Sequence, residues 1–137
     1  MAFRILEIDH VVLRVTDAAR ARRFYMEVLG CTPERTVEAF GLTQLRAGRA
    51  LIDLVDIEGA IGRKGGAAPA KEGRNVDHVA FRIQPFDTPA ILAHLEKHGV
   101  RHGGVTERYG AEGVGPSIYI EDPDGNTIEL KGLAKTS

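Results

Sequence analysis

With 137 residues, 43% hydrophobic and 27% charged, the chain has the composition of one ordinary globular domain or of two small modules sharing a core. A formal net charge of −1 gives no electrostatic basis for binding nucleic acid or an anionic membrane, and no apolar run approaches the ~20 residues that span a bilayer. The lone cysteine, Cys31, excludes an intrachain disulfide, and the first five residues lack the apolar stretch of a signal peptide, so a cytoplasmic location is expected.

Asp9-His10-Val11-Val12-Leu13-Arg14-Val15 reads as the first strand. Alternate side chains of a strand leave opposite faces, so His10, Val12 and Arg14 share one of them. A helix follows. Thr16 or Asp17 is a good N-cap, Ala21, Phe24, Tyr25, Val28 and Leu29 recur at helical spacing, and Gly30 ends the run. Cys31, just beyond it, has no adjacent base and reads as a small semi-buried residue. Strands are predicted at 36–40, 42–47 and 50–57, with a tight turn at Gly48-Arg49. Residues 58–73, rich in Gly, Ala and Lys and without periodicity, read as a flexible connector that covers the site or merely links.

The chain then repeats itself. Asp77-His78-Val79-Ala80-Phe81-Arg82-Ile83 matches the first strand in Asp, His, Val, Arg and a closing β-branched residue, at an offset of 68 (78 − 10). A second helix is capped by Asp87 or Thr88, opens on Pro89, carries Ile91, Leu92 and Leu95, and stops at Gly99. Strands are predicted at 105–109, 117–121 and 127–131, the last two joined by the turn-forming run Asp122-Pro123-Asp124-Gly125-Asn126. The order βαβββ therefore occurs twice, in modules of about 5–57 and 74–132 within a single domain spanning 1–137.

The last strands also correspond: Ile52-Asp53-Leu54 matches Ile128-Glu129-Leu130, each carrying a carboxylate between two aliphatics. Their offset of 76 (129 − 53) exceeds 68, so the second module holds eight extra residues, which the Gly-rich stretch 109–116 can absorb. His10, Asp53, His78 and Glu129 thus form a symmetric set of two imidazoles and two carboxylates. Such a donor set suits a five- or six-coordinate divalent ion of Mn, Fe, Ni, Co or Zn with positions left for water or substrate. His94 and His98 are one helical turn apart without an accompanying carboxylate motif, and read as solvent-side or packing residues; His102 carries no signal.

These segments, with Phe24-Tyr25-Met26-Glu27-Val28-Leu29-Gly30 and Ser117-Ile118-Tyr119-Ile120-Glu121-Asp122-Pro123-Asp124-Gly125-Asn126-Thr127-Ile128-Glu129-Leu130, resemble the vicinal oxygen chelate superfamily, the glyoxalase I and fosfomycin-resistance-like proteins. The resemblance runs from about Ile8 to Lys131. It implies an α+β fold of paired βαβββ modules forming a curved, cup-like mixed sheet, one divalent metal ion per site, and a homodimer whose sites are often shared between subunits. It places His10, His78 and Glu129 on the three commonest ligand positions. Asp53 falls on a fourth, where glyoxalase I has Glu, and is one methylene shorter. Arg14 matches an arginine that glyoxalase I sets near the glutathione carboxylate; Arg82, its counterpart in the second module, is not a usual family feature, and with Tyr119 it completes the expected substrate contacts.

The activity implied is metal-dependent lyase or isomerase chemistry of the lactoylglutathione lyase type on a small oxygen-chelating substrate such as a thiol adduct, with Glu129 as base and Asp53 as its partner. Two alternatives stand beside it: a fosfomycin-resistance-like thiol transferase, and a non-catalytic drug-binding or resistance protein. Ring-cleaving dioxygenase chemistry is disfavoured, because the extradiol pattern requires a histidine near Gly110, Ala111 or Glu112 and none is present.

Overall fold

The computed structural model describes residues 2–134. The chain divides into two compact units, one up to Pro69 and one from Ala70, and each is a βαβββ module as the duplicated sequence predicts.

The first unit comprises β1 (His10–Val15), α1 (Ala18–Arg23) continued by a π-helical turn (Phe24–Val28), β2 (Thr32–Val37), β3 (Leu42–Ala47) and β4 (Ala50–Asp56). Its sheet has the order β1-β4-β3-β2, with β1 parallel to β4 and the remaining pairs antiparallel. Asp17 caps α1 by accepting from the Arg20 amide at 3.0 Å, and Gly30 ends the helical run at φ +76°. The wide π turn, closed by Leu29 N–H to Phe24 carbonyl, buries Ala21, Phe24 and Tyr25 but leaves Val28 and Leu29 only half-buried. Leu13, Val15, Leu45 and Leu54, all 0% exposed, line the covered side of the sheet. The second strand lies at 32–37 rather than 36–40. Pro33 and the charged pair Glu34-Arg35 hide it from pattern reading, and they are tolerated because β2 is an edge strand.

The connector is more ordered than its composition suggests. It carries a 3-10 turn over Gly62–Gly65, and Gly62 packs so closely on the Asp56 carbonyl that no side chain fits there.

The second unit comprises β5 (Val79–Arg82), α2 (Thr88–Lys97), β6 (Thr106–Gly110), β7 (Gly113–Glu121) and β8 (Thr127–Lys131), in the sheet order β5-β8-β7-β6. Asp87 caps α2 through the Ala90 amide at 3.1 Å, and Gly99 follows its end at φ +67°. Residue pairing locates most of the extra length. Val37 pairs with Leu42 across residues 38–41, whereas the corresponding pair Thr106–Ser117 spans residues 107–116, six more (10 − 4). These residues form no loose loop. They extend the β6–β7 hairpin to the pair Gly110–Gly113, turned by Ala111 and Glu112.

Candidate metal centre

Strand alternation carries His10, Asp53 and Glu129 to one face of their sheets, and His78 stands just before β5. In the first unit Val12 pairs with Asp53, and Gln44 pairs with Asp53 from the other side, so His10, Arg14, Asp53 and Gln44 share the face opposite Leu13 and Leu54. His10 Nε2 lies 3.9 Å from Asp53 Oδ2. Asp53 is buried, and the Gln44 amide donates to both its oxygens, at 3.1 and 3.0 Å. Gln44 is itself oriented by Arg35 Nε, which donates to its Oε1 at 2.5 Å.

The second unit holds the tighter pair. His78 Nε2 is 3.2 Å from Glu129 Oε1, and Glu129 is buried in a fully bonded pocket. Ser117 Oγ donates to its Oε2 at 2.7 Å and Tyr119 Oη to its Oε1 at 2.9 Å. Burial pushes the Glu129 carboxyl up, but the two hydroxyl donors and the charges of His78 and Lys131 outweigh it, so the group is held below its usual range. The Tyr119 hydroxyl is raised, chiefly by its burial and then by its bond to Glu129. Its ring packs edge-on against His78 at 5.8 Å, with Arg108 above it at 5.8 Å.

Both histidines are held alike by the residue before them. Asp9 Oδ1 sits 2.7 Å from His10 Nδ1, and Asp77 Oδ2 sits 2.7 Å from His78 Nδ1. A carboxylate only accepts, so it fixes the proton on Nδ1 and leaves Nε2 as the donor to a metal. The Asp9 bond and then the Asp53 charge raise the His10 pKa, while the Asp77 carboxyl is lowered first by its bond to His78.

The donor chemistry fits a divalent ion. A nitrogen and an oxygen 3.2 Å apart are spaced as neighbouring ligands on one ion with bonds of ~2.1 Å. The first-unit pair is wider, and Asp53 is already satisfied by Gln44. Among the described residues no three His, Cys, Asp or Glu side chains gather into one metal-sized group; two pairs form, one in each unit.

The other predicted site residues have structural partners. Arg14 donates to the carbonyls of Gly62, Gly66 and Ala67 at 2.7, 2.6 and 2.9 Å, so it pins the connector. Arg82 bonds Glu112 at the tip of the β6–β7 hairpin at 2.6 Å. His94 and His98 stack edge to face at 4.7 Å on the exposed side of α2, and His102 meets the Gly103 carbonyl and Glu96. Cys31 is buried, which raises its thiol to about 11. Sequence reasoning did not single out Asp9, Asp77, Gln44 or Ser117. The repeated Asp-His pair was a visible signal, but the two cross-strand donors depend on register.

Residues 7–130 match the family model described as the Glyoxalase/Bleomycin resistance protein/Dioxygenase superfamily. The chain belongs to this superfamily. One similar protein, the virulence protein STM3117 of Salmonella typhimurium, is 31% identical over 131 residues, covering 90% of this chain and 81% of that one. Its crystal structure aligns with a TM-score of 0.79 at 30% identity, over 96% and 100% of the two chains. A lactoylglutathione lyase of Haemophilus influenzae is 29% identical over 131 residues, 91% of each protein. The fosfomycin resistance protein FosX of Listeria monocytogenes shares the superfamily fold, with a TM-score of 0.69 at 19% identity over 94% of both chains. No helix among the described residues is long and apolar enough to cross a membrane.

Proposed function

We propose that this chain is a divalent-metal-dependent enzyme of the glyoxalase I-like type, performing lyase or isomerase chemistry on a small oxygen-chelating substrate such as a thiol adduct. The observation that carries this reading is the His78–Glu129 pair, its imidazole oriented by Asp77 and its carboxylate by Ser117 and Tyr119. His10, His78 and Glu129 would hold the ion (Ni, Zn, Mn, Fe or Co), with Asp53 as a fourth ligand, directly or through water. Once bound, the ion supplies Lewis-acid stabilisation of negative charge on substrate oxygens.

The chain's own residues supply the rest. Glu129 accepts two hydroxyl hydrogen bonds and stays ionised, the state a proton acceptor needs. Asp53 is its partner carboxylate. Because each unit carries one imidazole–carboxylate pair, the reading includes a homodimer whose two copies complete each other's sites. Exposed Phe3, Ile5, Leu6 and Ile8, 69–84% accessible, support such a partner.

The test is turnover of the methylglyoxal–glutathione hemithioacetal by protein loaded separately with each of the five metals. Thioester formation with at least one metal, lost in Glu129→Gln, is expected. Full metal occupancy without thioester would defeat the narrow glyoxalase version of this reading, and fosfomycin consumption in a parallel assay would favour the thiol-transferase alternative.

A further inference from the structure

The two modules diverge along one row of their sheets. In the first unit Arg14, Val55, Leu42 and Val37 are successive cross-strand partners; in the second the matching row is Arg82, Lys131, Ser117 and Thr106. Three positions filled by aliphatics in one copy are therefore lysine, serine and threonine in the other. The fold itself does not call for polarity there, since Val55 and Leu42 serve the first unit at 2% and 8% exposure.

The lysine is housed with care. Lys131 is only 7% exposed, and its stem lies along the glycine-lined end of the β6–β7 hairpin. A Cβ at Gly110 would stand 2.5 Å from Lys131 Cε, and one at Gly115 would stand 3.0 Å from Nζ. A side chain at Gly110 would displace the lysine, and one at Gly115 would meet the Leu133 carbonyl at 2.8 Å as well as Nζ. Thr106 Oγ1 in the same row is enclosed without a partner among the described residues. Burying a hydroxyl without a partner is costly unless a ligand supplies one. Lys131 also shares its face with Glu129, two residues before it on β8.

We propose that this row binds an oxyanion of the substrate, with the Lys131 ammonium as its charge partner, so that the substrate class is a small molecule bearing a carboxylate or a phosphoryl group beside its chelating oxygens. The catalytic use of this subsite rests on the metal-centre reading above; anion binding by the row does not.

The experiment titrates the metal-free protein and its Lys131→Met and Lys131→Arg variants with inorganic phosphate and, separately, glycolate, following backbone amide shifts at Gly110, Gly115 and Lys131. Metal content is measured on the same variants after loading. Wild type is expected to bind at least one probe, Lys131→Met to bind it at least tenfold more weakly, and Lys131→Arg to stay within a few-fold. A preference for phosphate assigns a phosphoryl substrate, and a preference for glycolate a carboxylate. Equal affinity in wild type and Lys131→Met, or no shifts at these amides in wild type, overturns the proposal. Loss of the anion with full metal retention in Lys131→Met supports it, while a wild type that binds anion but no metal would sink only the metal reading.

Discussion

Asp9 and Asp77 decide which nitrogen of the neighbouring histidine carries its proton. Because the Asp9 bond favours the imidazolium, His10 in metal-free protein should titrate above 6.5, and Asp9→Asn should lower its midpoint, as read from ring-proton NMR. An unchanged midpoint would deny the coupling. The linked stability has a definite sign. A raised folded-state value stabilises fully below the unfolded value and fades as pH rises through the folded one, so Asp9→Asn should cost more stability near pH ~6 than near pH ~8.5. Cys31 should ignore thiol reagents until the protein unfolds, given its burial and its thiol at about 11. The strand histidines were legible because a duplicated pattern marks them. The aspartates' role was not: alternation assigns neighbours to opposite faces, yet Asp9 lies just before β1 and Asp77 and His78 just before β5, where alternation has not begun.

At the scale of elements, side chains with predicted substrate roles brace the loops. Arg14 holds three connector carbonyls, and Gly62 leaves room for the Asp56 carbonyl. Gly62→Ala is expected to cost about 1–3 kcal/mol, because the obstructing atom is backbone and cannot step aside; urea unfolding reads this directly. Arg14→Ala should instead speed proteolysis within residues 62–67 while barely moving the unfolding midpoint, and an unchanged cleavage rate would contradict the bracing role. Caps and glycine stops placed both helices correctly from sequence, since Asp17, Asp87, Gly30 and Gly99 act within a few residues of themselves. The connector's order was hidden because it depends on Arg14, some fifty residues earlier. The hairpin extension was placed correctly but read as slack, since glycines in a paired strand look like loop.

For the whole molecule, the duplicated modules each contribute half of the candidate ligand set. If the sites are shared between two copies, His10→Ala and His78→Ala proteins should each lose metal alone, yet a co-refolded equal mixture should regain part of it, because a hybrid dimer rebuilds one intact site. Complementation would be absent if each chain supplied all its own ligands. The fold was legible end to end because both copies keep the same βαβββ order, whereas ligand geometry hangs on strand register and on packing that periodicity does not encode. The most direct measurement is the metal content of protein purified without added metal, beside that of His78→Ala with its circular dichroism and unfolding midpoint. About one divalent ion per chain is predicted for wild type, and almost none for a folded His78→Ala. Undiminished metal in that variant, or a wild type that takes up no divalent ion even when it is supplied in excess, would contradict the account.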